Sequence, residues 1–176
     1  MNTTTSALFL IDLQVGNINH LFNSEEVIKA NRQVLAKARA SNMPIFHFKY
    51  HEEQRDIRFG EPWTAAGTPE GEFYPELAPQ EQEYSFTKPA YGAFSVSELE
   101  SHLNRLGIET IWLTGVMSQV CVLATAYEAY ARKYQVNVIS EAVGATSEKN
   151  LELGLGWMRK YVADLKALSD FDETLG

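Results

Sequence analysis

The sequence predicts one α/β domain over residues 1–176, built on a six-stranded parallel sheet of Rossmann-like order 3-2-1-4-5-6 with helices on both faces. Three observations predict it. Residues 7–11 form an unbroken apolar run, the pattern of a strand covered on both faces. Further apolar runs alternate with helix-like stretches, the rhythm of parallel strands joined by right-handed crossovers. The composition, 45% hydrophobic and 22% charged, is that of a chain with a packed core, and its length fits one such core.

The first strand is Ala7-Leu8-Phe9-Leu10-Ile11, ended by Asp12. Ser24 can cap a helix with Glu25 and Glu26 in its first turn, an apolar face of Val27, Ile28, Val34, Leu35 and Ala38, and a stop near Asn42. Pro44 to Tyr50 reads as the second strand, with proline at the start, where its missing N–H costs least. From His51 to Glu83 the periodicity fades and glycine and proline recur, yet Trp63, Phe73 and Tyr74 argue against disorder. A structureless excursion of that length within a compact domain has a functional reading, here as a cover.

Tyr84-Ser85-Phe86-Thr87-Lys88 is a third strand, stopped by Pro89. Ser95-Val96-Ser97-Glu98 has the form of a capping box, opening a helix to about Leu106 with Gly107 as its stop. Thr110 to Thr114 makes the fourth strand, Gly115 to Gln119 a turn, and Val120 to Lys133 an alanine-rich helix. Val136 to Ser140 gives the fifth strand, and Ser147 caps the next helix, whose boundary Gly154 and Gly156 blur. Tyr161 to Leu168 holds the sixth strand, and Ser169 caps a short last helix.

A formal charge of -8 excludes a nucleic-acid binder driven by backbone phosphates, which needs a basic stripe. The first residues lack the positive segment of a secretory signal, and no apolar run approaches the roughly 20 residues that cross a bilayer. A cytoplasmic protein without membrane attachment is expected. A single cysteine cannot form an intrachain disulfide, and a lone thiol fits a reducing compartment.

In an open parallel sheet, ligands bind beyond the carboxyl ends of the strands where strand order reverses. Three reactive side chains fall at such ends: Asp12 after the first strand, Lys88 closing the third, and Cys121 after the fourth. Cys121 in the first turn of a helix, near a lysine, is expected to have a lowered thiol pKa. Asp12 can take its proton and return it to a leaving group, and the helix N-terminus offers N–H donors to an oxyanion. Each residue also has a plain reading, Asp12 as a loop cap, Lys88 as a solvated strand end, and Cys121 as core packing.

Taken together these features resemble the isochorismatase-like cysteine hydrolases, a superfamily that includes nicotinamidases and N-carbamoylsarcosine amidohydrolase. The resemblance spans nearly the whole chain. It is carried by Phe9-Leu10-Ile11-Asp12-Leu13-Gln14, by Lys88-Pro89-Ala90-Tyr91-Gly92-Ala93-Phe94, and by the segment from Gly115 through Cys121 to Ala126. It implies Asp12 as general acid/base, Lys88 as its cationic partner and Cys121 as nucleophile. It also implies a cis peptide at Val116–Met117 and an oxyanion hole from the N–H groups of Met117 and Cys121. A homo-oligomer, dimer or tetramer, acting on a small-molecule substrate is implied as well.

The sequence departs from the nicotinamidases at Lys49-Tyr50-His51, where those enzymes carry Asp-x-His as metal ligands. A lysine there repels a cation, so no metal and no cofactor are expected, with His51 a polar loop residue and His47 a strand residue. Ser118 stands where threonine is common, and Glu141 where aspartate is usual, with a structural role. Phe22, Trp63, Tyr91 and Phe94 are the candidates for an apolar substrate pocket, against a reading as core or oligomer packing. The expected reaction is hydrolysis of a small amide-like bond through a thioester. Three alternatives stand beside it: a vinyl ether hydrolase of the isochorismatase type, a non-catalytic flavodoxin-like ligand binder, and a thiol redox sensor.

Overall fold

The central strand β1 (Ser6–Ile11) pairs in parallel with β2 (Ile45–Tyr50) on one side and with β4 (Thr110–Gly115) on the other. In the computed structural model, which describes residues 5–53 and 60–175, β2 then pairs with β3 (Tyr84–Lys88), β4 with β5 (Gln135–Val143), and β5 with β6 (Asp164–Lys166). Every pairing is parallel, and the order is 3-2-1-4-5-6 as expected. The sheet therefore reverses direction of growth between β1 and β4.

Alternation along β1 divides the core into two layers, because successive side chains point to opposite faces. Phe9 and Ile11 join Leu99 and Leu103 of α3 (Leu99–Arg105), Ala126 and Ala129 of α4 (Leu123–Ala131), and Met158 of α5 (Glu148–Tyr161). Leu8 and Leu10 face Val27, Val34 and Leu35 of α2 (Ser24–Ala40), and Phe171 of α6 (Leu168–Leu175). Both faces of β1 are thus sealed from water, which is why its apolar run is unbroken. Among the described residues no helix is long and apolar enough to cross a membrane.

Several boundaries differ from expectation for local reasons. A short helix α1 (Val15–Asn19) follows β1, and its five residues lack the periodicity that would reveal it. Ser24 is already inside α2, and the flanking Asn23 turns its side chain to Val143 O and Ala145 N–H instead of capping. The serine box at residues 95–98 does not cap α3. Ser95 Oγ instead bonds Gly92 O at 2.6 Å inside a 3-10 turn at Ala93–Ser95, and the helix starts only at Leu99. Its stop is as read, with Gly107 at φ +63°.

Ser147 does cap α5, accepting from Asn150 N–H at 3.2 Å, and neither glycine breaks that helix. A side chain at Gly154 would lie 2.5 Å from the Ser118 carbonyl carbon, so its absence lets α5 rest on the turn that leads to Cys121. Because α5 runs on to Tyr161, β6 is only Asp164–Lys166. Ser169 lies within α6, and Asp170 supplies the cap by accepting Ala167 N–H at 2.8 Å.

Candidate active site

The reversal between β1 and β4 puts two strand ends side by side, the crevice in which open α/β sheets bind ligands. Gly115 makes the approach possible. It sits at φ +113°, and any β-carbon there would meet Ile11 O at 2.1 Å. Asp12 follows directly at φ +51°, a left-handed conformation that aspartate tolerates better than most residues. Its carbonyl holds that bend by accepting from Gln14 N–H at 2.8 Å and Asn17 Nδ2 at 2.9 Å. The buried Gln14 side chain then ties β1 to β2 through both polar groups of Tyr50, at 2.9 and 3.1 Å, and to the excursion through Gly71 O at 2.8 Å.

Lys88, at the end of β3, is buried and donates to Asp12 Oδ2 at 2.7 Å and to Tyr91 O at 2.6 Å. Its ammonium also lies 5.5 Å from the Tyr50 ring centre. The plain reading of Lys88 as a solvated strand end is therefore replaced by a buried ion pair. Asp12 Oδ1 is buried without a regular hydrogen bond among the described residues. Burial raises the Asp12 pKa above its ordinary value, and the Lys88 charge and the neighbouring Cys121 thiol offset part of that rise.

Cys121 sits in a single wide π-type turn, Ser118–Val122, that leads into α4, and the residue is 8% exposed and lines the cavity. The peptide Val116–Met117 just before this turn is cis, and neither residue is proline. Ser118 anchors the turn through Oγ to Asn150 O at 3.0 Å. Thr125 Oγ1 donates to Cys121 O at 2.8 Å and accepts from Ala93 N–H at 3.1 Å, joining the Cys121 turn to the Lys88 loop. The expected lowering of the thiol pKa is reversed. Burial pushes it well above the ordinary value, the Asp12 carboxylate adds to the rise, and Lys88, already engaged by Asp12, offsets only part. At rest the sulfur keeps its proton.

A cavity of about 250 Å³ opens over these groups, lined by Asp12, Cys121, Met117, Trp63 and Tyr91, with Asn17, Tyr50, Glu52, Gln119 and Thr146 completing its polar and aromatic walls. Trp63 stacks on His20 at 4.0 Å between ring centres, so part of the excursion does cover the crevice. Phe22 and Phe94 do not belong to it. Phe22 is a half-exposed surface residue before α2, and Phe94 is buried under Arg132, packed on Phe9 and Tyr134. Asn17 and Glu52 had no signal in the sequence, since Asn17 reaches the cavity from the five-residue helix α1, too short to show a period, and Glu52 from an irregular segment.

At the position of the nicotinamidase metal ligands, Lys49 donates to Glu72 at 2.8 Å and lies over the Phe73 ring. Among the described residues no cluster of His, Cys, Asp and Glu has the form of a metal site. His47 is a buried strand residue bonded to Glu83 at 2.8 Å, and Glu141 accepts Leu168 N–H at 3.2 Å at the start of α6, a structural role.

The chain and its fold have counterparts among known proteins. The family model described as Isochorismatase domain matches residues 6–169. The isochorismatase family protein YwoC of Bacillus subtilis is 29% identical over 96% of this chain and 93% of its own length. The secreted isochorismatase effector Isc1 of Verticillium dahliae is 35% identical over 81% of this chain and 74% of its own length. An isochorismatase-like hydrolase from Alkaliphilus metalliredigens has the same fold, with a TM-score of 0.86, 23% identity, and coverage of 100% of this chain and 99% of that one. By the extent of these matches, this chain belongs to the isochorismatase family and is a hydrolase of that family.

Proposed function

We propose that the protein hydrolyses a small amide-like C–N bond with Cys121 as nucleophile and a thioester intermediate. The observation that carries this reading is a thiol at a small cavity beside a carboxyl group that is ion-paired to a buried lysine. Asp12 takes the thiol proton as Sγ bonds to the substrate carbonyl carbon, whose π electrons move to its oxygen. The N–H groups of Met117 and Cys121 receive that oxyanion. No backbone acceptor among the described residues takes the Met117 N–H. When the C–N bond breaks, Asp12 gives its proton to the departing amine. Water then attacks the thioester, Asp12 accepts a water proton, the C–S bond breaks, and the sulfur recovers its proton.

Lys88 holds Asp12 in place and keeps it anionic between these transfers. A thiol kept protonated and nearly buried is poorly suited to oxidation by solutes, which disfavours the redox-sensor alternative. The test is ammonia release from a panel of small amides, carbamoyl compounds and ureides, with mass spectrometry of acid-quenched protein. An acyl mass on the Cys121 peptide is expected during turnover. Turnover without that adduct under single-turnover quenching would refute the thioester route.

A homo-oligomer belongs to the same proposal and is supported by the exposed aromatic side chains of Tyr127 and Tyr130 on α4 and Trp157 and Tyr161 on α5. Light scattering should return the mass of a dimer or tetramer, and a monomer at micromolar concentration counts against it.

A further inference from the structure

The cavity holds one carboxyl group that the hydrolytic steps leave unused. Glu52 follows β2 and lines the same crevice as the Cys121 turn. Its Oε2 accepts Trp63 N–H at 2.8 Å, and its own N–H meets Thr64 Oγ1 at 3.4 Å. Thr64 is buried and anchored in turn to Tyr50 O at 2.8 Å. Glu52 is thus built into the wall by the backbone of the covering loop. None of the ion pairs among the described residues includes it.

Among the described residues that line the remaining wall, the charge has one sign. Asp12 is the second carboxyl group, and the other described lining residues are neutral or apolar, with three aromatic rings from Tyr50, Trp63 and Tyr91. Lys88 adds no available cation, because its ammonium is fully covered and engaged by Asp12 and Tyr91 O. A substrate carboxylate entering this space would meet carboxylates and no described counter-charge, whereas an ammonium would find a carboxylate and aromatic faces together.

We infer that Glu52 is a specificity-determining residue of the cavity and that the substrate is a small amide whose far end carries a cationic or N–H-donating nitrogen, not a carboxylate. This deepens the amide-hydrolase reading and rests on it. The same charge pattern disfavours a vinyl ether that carries carboxylates as substrate.

Three amides of matched length test it: 4-aminobutanamide, pentanamide and the monoamide of glutaric acid. Their binding is measured by calorimetry on Cys121→Ala, so that no turnover intervenes, with and without Glu52→Gln. The cationic amide is expected to bind about ten-fold or more tightly than the anionic one, and Glu52→Gln to erase most of that difference while leaving pentanamide nearly unchanged. Glu52→Asp, which keeps the charge, should retain part of the preference. A role confined to holding the loop would weaken all three ligands alike. Equal binding of the charged amides, tighter binding of the anionic one, or no binding of the cationic one would overturn the inference. Ammonia release by the wild type is scored separately. Its absence with the binding preference intact would sink the amide reaction and leave the charge preference of the cavity standing.

Discussion

Cys121→Ala is expected to lower kcat on any amide substrate by roughly 10⁴-fold or more, because the covalent route disappears and only the oxyanion donors and binding remain. The fold should survive the change. The side chain is small and nearly buried, and losing its sulfur atom should cost about 1 kcal/mol, visible as a small shift in a urea melt. Cys121→Ser should fare little better, since a hydroxyl is a weaker nucleophile at the same position and Asp12 would have to remove a less acidic proton. Stopped assays at high enzyme concentration give the measurement. Retention of a tenth of the wild-type rate by the alanine variant would refute sulfur as the nucleophile.

The raised thiol pKa adds a second signature to the same variant series. A preformed thiolate reacts quickly with iodoacetamide at neutral pH, whereas this protonated and sheltered sulfur should react slowly in the free protein. Its ionisation should also leave no limb in the kcat/KM profile below about pH 9, because deprotonation belongs to the attack step and runs through Asp12. Rapid alkylation at pH 7 would restore the expectation drawn from the helix N-terminus and the nearby lysine. That expectation counted the dipole and the lysine as free agents. Burial and the prior engagement of Lys88 by Asp12 outweigh both.

The same contrast explains what could be read from the residues in order. The unbroken run at β1, the strand end at Asp12 and the proline after Lys88 are local signals, and a sheet of parallel strands converts them into neighbours at a switch point. The positions of Asn17, Glu52 and Thr125 depend instead on how α1, the covering loop and the Cys121 turn pack, which no periodicity encodes. Phe22 and Phe94 show the opposite failure. An aromatic side chain near a catalytic motif in sequence has the same composition whether it faces a ligand, the core or water, and only packing decides. The serine box before α3 matched its pattern yet was overridden, because Glu128 and Thr125 already cap that segment through Phe94 N–H at 3.0 Å and Ala93 N–H at 3.1 Å.

Asp12 and Lys88 should separate stability from catalysis when changed singly and together. Lys88→Met leaves a buried carboxylate without its cation and is expected to destabilise the protein by about 3–5 kcal/mol in urea unfolding. Asp12→Asn strands a buried ammonium and should cost a comparable amount. The double variant Asp12→Asn/Lys88→Met removes both charges, so it should be more stable than either single variant while remaining inactive. Asp12→Asn by itself should lower kcat/KM by about 10²–10⁴-fold, the usual contribution of a positioned acid/base group.

The pH profile supplies the sign. Burial raises the Asp12 pKa, so its basic form is lost as pH falls through a value above the ordinary carboxylate range, and the acid limb of kcat/KM should lie correspondingly high. That limb is a property of the coupled Asp12, Lys88 and Cys121 set, and it should vanish from whatever activity Asp12→Asn retains. An unchanged acid limb in Asp12→Asn would assign the base to another group. Additive destabilisation in the double variant would show that the two charges do not depend on each other, contrary to their 2.7 Å contact.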